Sequence, residues 1–328
     1  MAINPASQDE LLPVLPLVRI ACVFNDAYAP HFATLAASLA ATRGGESLQI
    51  TLVVGPDLSA DVIQKLELYL GTLNIDLDYV RVPDPVLEKL PQSAAYPSLV
   101  WYRLLLPELL PNCSKVLYLD TDVVVLQSLL PLFMVELGTN LFGAVAEPPV
   151  GWEAQSRLLG LDLTQGYLNS GVLLLNLAMM RSEKFTEKAL EVAYAKNGLL
   201  RLPDQEVLNI VGKGRWKKLQ PKWNAISYLW LDPQVANDTY SVFDYLVATY
   251  SPAIVHFEGT RAVKPWHFRS IHPMKEIYRQ MRARTPWPLE GLEGRTMMAA
   301  MLRRLPLKWQ YIIARCKTMV YNAIGLQR

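Results

Sequence analysis

Along the first two-thirds of the chain, short and nearly continuous apolar runs alternate with longer stretches of helical spacing. The run Val18–Phe24, VRIACVF, is apolar at almost every position, as in a strand covered on both faces. His31–Arg43, HFATLAASLAATR, reads as an Ala/Leu helix stopped at Gly44 and Gly45. LQITLVVG (Leu48–Gly55) gives a second strand, SADVIQKLELYLG a helix with Ser59 as its N-cap, and DLDYVRV (Asp76–Val82) a third strand. This β-α-β-α-β order predicts an α/β fold, a mostly parallel sheet with right-handed crossovers and helices on both faces. Ligands of such sheets bind beyond the C-terminal ends of the strands.

The alternation continues with a helix over LVWYRLLLPELL (Leu99–Leu110) and strands over KVLYL (Lys115–Leu119), LFGAVAE (Leu141–Glu147) and GVLLLNL (Gly171–Leu177). After Pro203 comes a short helix, DQEVLNIVG, and then a less regular, aromatic-rich region ending in SPAIVHFEGTRAVKPWHF. Past Pro286 two helical pieces meet at Pro306. The second carries Trp309, Ile312, Ile313, Cys316, Val320 and Ile324 at helical spacing. It reads either as a helix packed on the domain or as a basic amphipathic segment lying on an anionic membrane surface.

Charge favours the second reading of that tail. The 328 residues carry a net charge of only +2, but residues 295–328 contain seven Lys or Arg and no Asp or Glu, which leaves the rest of the chain at −5. The small total argues against a nucleic-acid binder that relies on overall positive charge. Three scattered cysteines, Cys22, Cys113 and Cys316, show neither a disulfide framework nor a zinc spacing and fit a reducing compartment. The first residues, MAINPASQDELLPVLP, lack the basic start of a signal peptide, and no apolar run approaches the ~20 residues of a membrane span. The expected location is the cytoplasm, with the tail on the inner face of the cytoplasmic membrane.

KVLYLDTDVVVL places two carboxylates, Asp120 and Asp122, at or just past the end of a central strand. Side chains two apart in an extended chain point the same way, so these two converge, and holding them together requires a metal ion, paired cations or proton uptake. A strand end that simply starts a turn is the alternative. The apolar run before the pair and the renewed apolar VVVL after it favour a Mg²⁺ or Mn²⁺ site beside a phosphate-bearing ligand. In VHFEGTRAVKPWH, His256 reads as a core histidine or as a ligand. Gly259 and Lys264 after it are suited to contacting phosphate.

Taken in order, YLDTDVVVL, YLNSGVLLLNL, LPDQEVLN and VHFEGTRAVKPWH resemble glycosyltransferase family 8, and the resemblance covers roughly residues 18–280. It implies a GT-A fold with an N-terminal extension (1–17), a catalytic domain (18–285) and the basic helical tail (286–328). It implies a retaining enzyme that moves a hexose from a UDP-sugar to a glycolipid or oligosaccharide acceptor, in lipopolysaccharide or other surface-glycan synthesis. By position, Asn25, Asp26 and Tyr28 match the uridine contacts. Asp120, Asp122 and His256 match the ligands of Mn²⁺, with Mg²⁺ as the alternative ion, and Asp120, Gly259 and Lys264 border the diphosphate. Arg103 matches the arginine beside the donor sugar, Asn169 and Asp204 its hydroxyl partners, and Gln205 the group nearest the anomeric carbon.

Between Gly259 and Lys264 stand four residues, TRAV, where the family commonly has two, so Arg261 is a second candidate for the diphosphate. Glu147, ending its strand, is expected on the acceptor side. A sugar-nucleotide-binding protein without transfer activity is the rival reading. A nucleotidyltransferase or a NAD-dependent enzyme would need glycines after the first strand, and NDAYAPHF has none.

Overall fold

The structure, a computed structural model, describes residues 15–91, 97–148, 150, 152–162, 164 and 166–314. Its strands are β1 (Leu17–Val23), β2 (Ser47–Val54), β3 (Asp76–Arg81), β4 (Lys115–Leu119), β5 (Val123–Val125), β6 (Phe142–Glu147), β7 (Tyr167–Asn176), β8 (Trp216–Lys218) and β9 (Ile254–His256). Seven form one sheet in the order β3-β2-β1-β4-β7-β6-β8, while β5 and β9 make a separate antiparallel ribbon. The pairs β1–β2, β2–β3, β1–β4 and β6–β8 are parallel. Strand β7 runs antiparallel to both of its neighbours.

The apolar runs become strands because both faces of the sheet are covered. Ile20, Ile50 and Leu117 on one face pack against Phe32, Leu35 and Leu39 of helix α1 (Ala29–Thr42) and Leu66 and Leu70 of helix α2 (Ala60–Thr72). Ala21, Tyr118 and Leu173 on the other face pack against Trp101, Phe185 and Leu208. A fully buried leucine of this kind contributes roughly 2–5 kcal/mol against alanine. Ser59 caps α2 as its sequence predicts, its hydroxyl accepting from the amide of Val62. The exposed edge strand β3 carries Asp76 and Asp78, which discourage pairing with another chain.

Two segments differ from the sequence expectation. Leu99–Leu110 is largely a 3-10 helix (Ser98–Leu105) followed by a single α-turn (Leu106–Leu109). Pro107 has no N–H to return to the carbonyl of Arg103, so the preceding turns close with the tighter hydrogen-bond pattern. Strand β7 begins at Tyr167 rather than Gly171, and Leu177 already belongs to the next helix, Leu177–Ser182, whose N-cap side chain is Asn176. The irregular region is threaded with short helices, among them Tyr228–Leu231, Val242–Tyr250 and Lys275–Arg282. In the tail, helix Met297–Arg303 and a second helical piece over 307–314 meet at Pro306. Cys316, Val320 and Ile324 lie outside the described residues. No helix among the described residues is long and apolar enough to cross a membrane.

Candidate active site

Strand β4 ends at Leu119, but its ladder extends one residue further, the amide of Asp120 donating to the carbonyl of Gly171 at 2.8 Å. The chain turns at Thr121 and re-enters an extended path as β5, whose first residue Val123 pairs with His256 at the end of β9. The amide of Phe257 donates to the carbonyl of Asp122 at 3.0 Å. This ribbon brings a histidine from 134 positions later in the chain against the two carboxylates. Nε2 of His256 lies 3.2 Å from Oδ1 of Asp122 and 3.9 Å from Oδ2 of Asp120, and one ligating atom from each residue falls within 4.8 Å of the others.

Cations compensate the pair as well. Arg103 bonds Asp120 at 2.9 Å and Asp204 at 3.0 Å, and the Tyr118 hydroxyl donates to Asp120 at 2.8 Å. Lys264 forms an ion pair with Asp122. Burial alone would raise the Asp122 carboxyl, but Lys264 and His256 outweigh it and hold the group well below the usual carboxylate range. Burial likewise disfavours the charged forms of His256 and Lys264, and the Asp122 carboxylate reverses that effect and raises both. Asp204 is raised, burial outweighing the opposing pull of Arg103.

A connected set of hydrogen bonds fixes these side chains. Nδ1 of His256 is 2.9 Å from Oδ1 of Asn224, an acceptor, so the proton sits on Nδ1 and Nε2 faces the aspartates. Asn224 donates to Oδ1 of Asn169 at 2.8 Å, and Asn169 donates to Glu147 at 3.4 Å. Glu147 accepts from Gln205 at 3.0 Å, while the other end of the Gln205 amide accepts from the backbone of Ser170 at 2.9 Å. The Ser170 hydroxyl donates to Asp204 at 3.0 Å, which closes the set at Arg103 and Asp120. Burial raises the Glu147 carboxyl, and its bonds to Gln205 and Asn169 oppose that rise.

This constellation forms one wall of a cleft of about 400 Å³. Arg103, Asp120, Asp122, Glu147, Asn169, Asp204, Gln205, His256 and Gly259, nominated from the sequence, all line it. Lys264 reaches it through Asp122. Asn25, Asp26 and Tyr28 lie outside its lining. The Asp26 carboxylate accepts from the backbone of Ser59 at 2.8 Å, Tyr28 is exposed with its ring edge-on to His31, and Oδ1 of Asn25 is buried without a protein partner. The longer TRAV loop folds as a turn, the amide of Val263 donating to the carbonyl of Thr260 at 2.9 Å after Gly259 at φ +88°. Arg261 is exposed on that turn and is not among the cleft residues.

The sequence model of Glycosyl transferase family 8 matches residues 19–270, the span that contains every side chain just described. The chain belongs to glycosyltransferase family 8. General stress protein A of Bacillus subtilis is 25% identical to this family 8 chain over 279 residues, 84% of the chain and 96% of that protein. The lipopolysaccharide 1,2-glucosyltransferase of Escherichia coli K12 is 32% identical over 213 residues, 63% of this chain and 60% of that enzyme. The galactosyltransferase LgtC, solved with donor and acceptor sugar analogs, superimposes with a TM-score of 0.72 at 23% identity, covering 82% of this chain and 96% of LgtC. The sheet of this glycosyltransferase is therefore a GT-A sheet.

Three contributors to this constellation were not singled out from the sequence. Gly171 follows Asn169 in YLNSG, and a Cβ there would collide with the His256 ring and reach 3.0 Å from the Asp120 carboxylate. Asn224 comes from the irregular region, where nothing local marks it. Tyr118, inside KVLYLD, looks like a core aromatic until its hydroxyl is found on Asp120.

Proposed function

We propose that this chain is a divalent-metal-dependent, retaining hexosyltransferase that takes a hexose from a UDP-sugar to a hydroxyl of a glycolipid or oligosaccharide acceptor, in lipopolysaccharide or other cell-surface glycan synthesis. The observation that carries the reading is the convergence of Asp120, Asp122 and Nε2 of His256 at metal-ligating separations, with Asn224 holding the imidazole in the ligating tautomer. Two oxygens and an imidazole nitrogen suit Mn²⁺, with Mg²⁺ as the alternative. The lipopolysaccharide glucosyltransferase among the relatives supports the substrate class.

When bound, the ion supplies Lewis acidity at the departing diphosphate. Lys264, beside Asp122, and the Gly259 turn are placed to contact the phosphates. Buried polar atoms without a protein partner, Oδ1 of Asn25 and Nε of Arg103, fit the uracil and the donor sugar. Asn169 and Asp204 take the sugar hydroxyls. Gln205 stands nearest the anomeric carbon. Because Gln205 is an amide oriented by Glu147 and Ser170, it positions and polarises rather than attacks. Retention then follows from front-face entry of the acceptor hydroxyl through an oxocarbenium-like state.

The tail supports a peripheral position on the inner face of the cytoplasmic membrane. Met297 (84% exposed), Met298, Met301, Leu307 and Trp309 (56%) stand exposed among Arg295, Arg303, Arg304 and Lys308. Each cation near an anionic leaflet contributes on the order of 1 kcal/mol. The test of the central reading is UDP release from a panel of UDP-sugars with Mn²⁺, Mg²⁺ or EDTA. Slow Mn²⁺-dependent hydrolysis of one UDP-hexose, lost with EDTA and in Asp122→Ala, is expected. Binding of a UDP-sugar without hydrolysis or transfer under any condition would instead favour the sugar-nucleotide-binding alternative.

A further inference from the structure

The active cleft is not built from the GT-A core alone. Tyr311 and Ala314, both from the helical piece over 307–314, line it together with Trp152 and Tyr228. Backbone bonds seat the tail against the loop after Lys264: Phe268 donates to Glu293 at 2.8 Å, and Glu293 donates to Trp266 at 3.0 Å. The guanidinium of Arg303 lies over the Phe268 ring at 4.8 Å. At the Pro306 corner, the buried side chain of Gln310 donates to the carbonyls of Arg303 at 3.1 Å and Leu305 at 2.7 Å. The angle between the two tail helices is therefore fixed by the protein itself.

The second piece is two-faced. Successive helical residues are rotated by about 100°, so Tyr311 lies roughly opposite Trp309, and Ala314 returns to the face of Tyr311. Ala314 is buried and Trp309 is exposed. One face thus looks into the cleft, with Leu307 exposed one turn before Tyr311 along it, while the opposite face presents Trp309 to the surroundings. The cleft-side aromatics differ in character from the charged metal-site wall. Trp152 is braced from behind by Tyr167, with rings stacked at 5.0 Å and 16°. Aromatic faces of this kind take the apolar C–H face of a sugar ring.

We infer that the helix over 307–314 is a wall of the acceptor subsite, with Tyr311 contacting the acceptor sugar and the exposed Leu307, one turn before it on the same face, receiving the apolar chain to which that sugar is attached. This rests on the transferase reading above and narrows its acceptor to an amphiphilic, lipid-linked saccharide. Sugar recognition and interfacial anchoring then share a single short helix.

The experiment compares the full chain with Tyr311→Ala, Tyr311→Phe and Leu307→Ala, using the UDP-hexose found to be hydrolysed and octyl or methyl glycosides of glucose, galactose and lactose as acceptors. Wild type should prefer an octyl glycoside over its methyl counterpart by about tenfold in kcat/KM. Tyr311→Ala should lower the ratio of transfer to hydrolysis at least about tenfold, through the acceptor KM, and Tyr311→Phe should recover most of it. Leu307→Ala should erase the octyl preference. The inference is overturned if Tyr311→Ala keeps the acceptor KM, if it lowers hydrolysis and transfer in equal proportion, or if a hydrolysing wild type uses no octyl glycoside. A wild type that hydrolyses no UDP-hexose would remove the transferase reading itself.

Discussion

The hydrogen at Cα of Gly171 marks the only space that any side chain there would have, because the imidazole of His256 occupies the rest. Gly171 sits on β7, beside the last residue of the β4 ladder, and its carbonyl holds the amide of Asp120. One glycine therefore sets both the end of the aspartate strand and the seat of the histidine. Gly171→Ala is expected to displace the imidazole and weaken Mn²⁺ binding by at least about tenfold while the protein stays folded. Circular dichroism and a Mn²⁺ titration followed by electron paramagnetic resonance check both halves of that outcome.

Asn224 acts on the same imidazole from the other side. With its carbonyl oxygen removed in Asn224→Ala, Nδ1 loses its acceptor and the ring is free to carry its proton on either nitrogen. Metal affinity is expected to fall by roughly 10–100-fold, the usual effect of removing the partner of a ligating histidine. Unchanged Mn²⁺ affinity would mean that the Asn224 bond has no part in orienting the ligand.

Glu206 gives the fold a pH dependence. It is fully buried beside Gln205, one oxygen accepts from the amide of Arg201 at 2.9 Å and from Gln155 at 3.2 Å, and the other has no partner. Burial pushes its carboxyl up to about 7. The folded protein therefore holds a proton that the unfolded chain releases near pH 4.3. The resulting stability is fully present below that value and is lost as pH rises through about 7. Thermal unfolding should show Tm falling between pH 5 and pH 8, and Glu206→Gln, which still accepts from Arg201, should flatten that fall.

Arg304 and Lys308 are exposed on the tail beside the apolar residues of the same surface. The double substitution Arg304→Glu and Lys308→Glu is expected to weaken sedimentation with phosphatidylglycerol vesicles by at least about tenfold. Wild-type binding should weaken as salt is raised. Salt-independent binding would point to the exposed methionines and Trp309 as its main source.

Much of the candidate site was legible because its residue pattern is local. Asp120 and Asp122 follow an apolar strand, and Asp204 and Gln205 open a helix after Pro203, so position and residue type could be read together. Pairing direction is a long-range property, and nothing within Tyr167–Asn176 declares that β7 runs against both neighbours. Pro107, by contrast, is a local signal that the amphipathic spacing around it obscured. Asn224 and Gly171 were silent for different reasons. The first ends a short 3-10 helix, Pro221–Asn224, whose path is set by contacts with β9, and the second needs no side chain chiefly because of an imidazole more than eighty residues away.

The decisive measurement is calorimetric titration of UDP into the protein with and without Mn²⁺, repeated on Asp122→Asn. Mn²⁺ is expected to strengthen UDP binding by at least about tenfold in the wild type, because Asp120, Asp122 and His256 would hold an ion whose charge attracts the diphosphate, and the substitution is expected to abolish the gain. Equal UDP affinity with and without Mn²⁺ would contradict it and leave Asp120, Asp122 and His256 as an ion-paired cluster compensated by Arg103 and Lys264 alone.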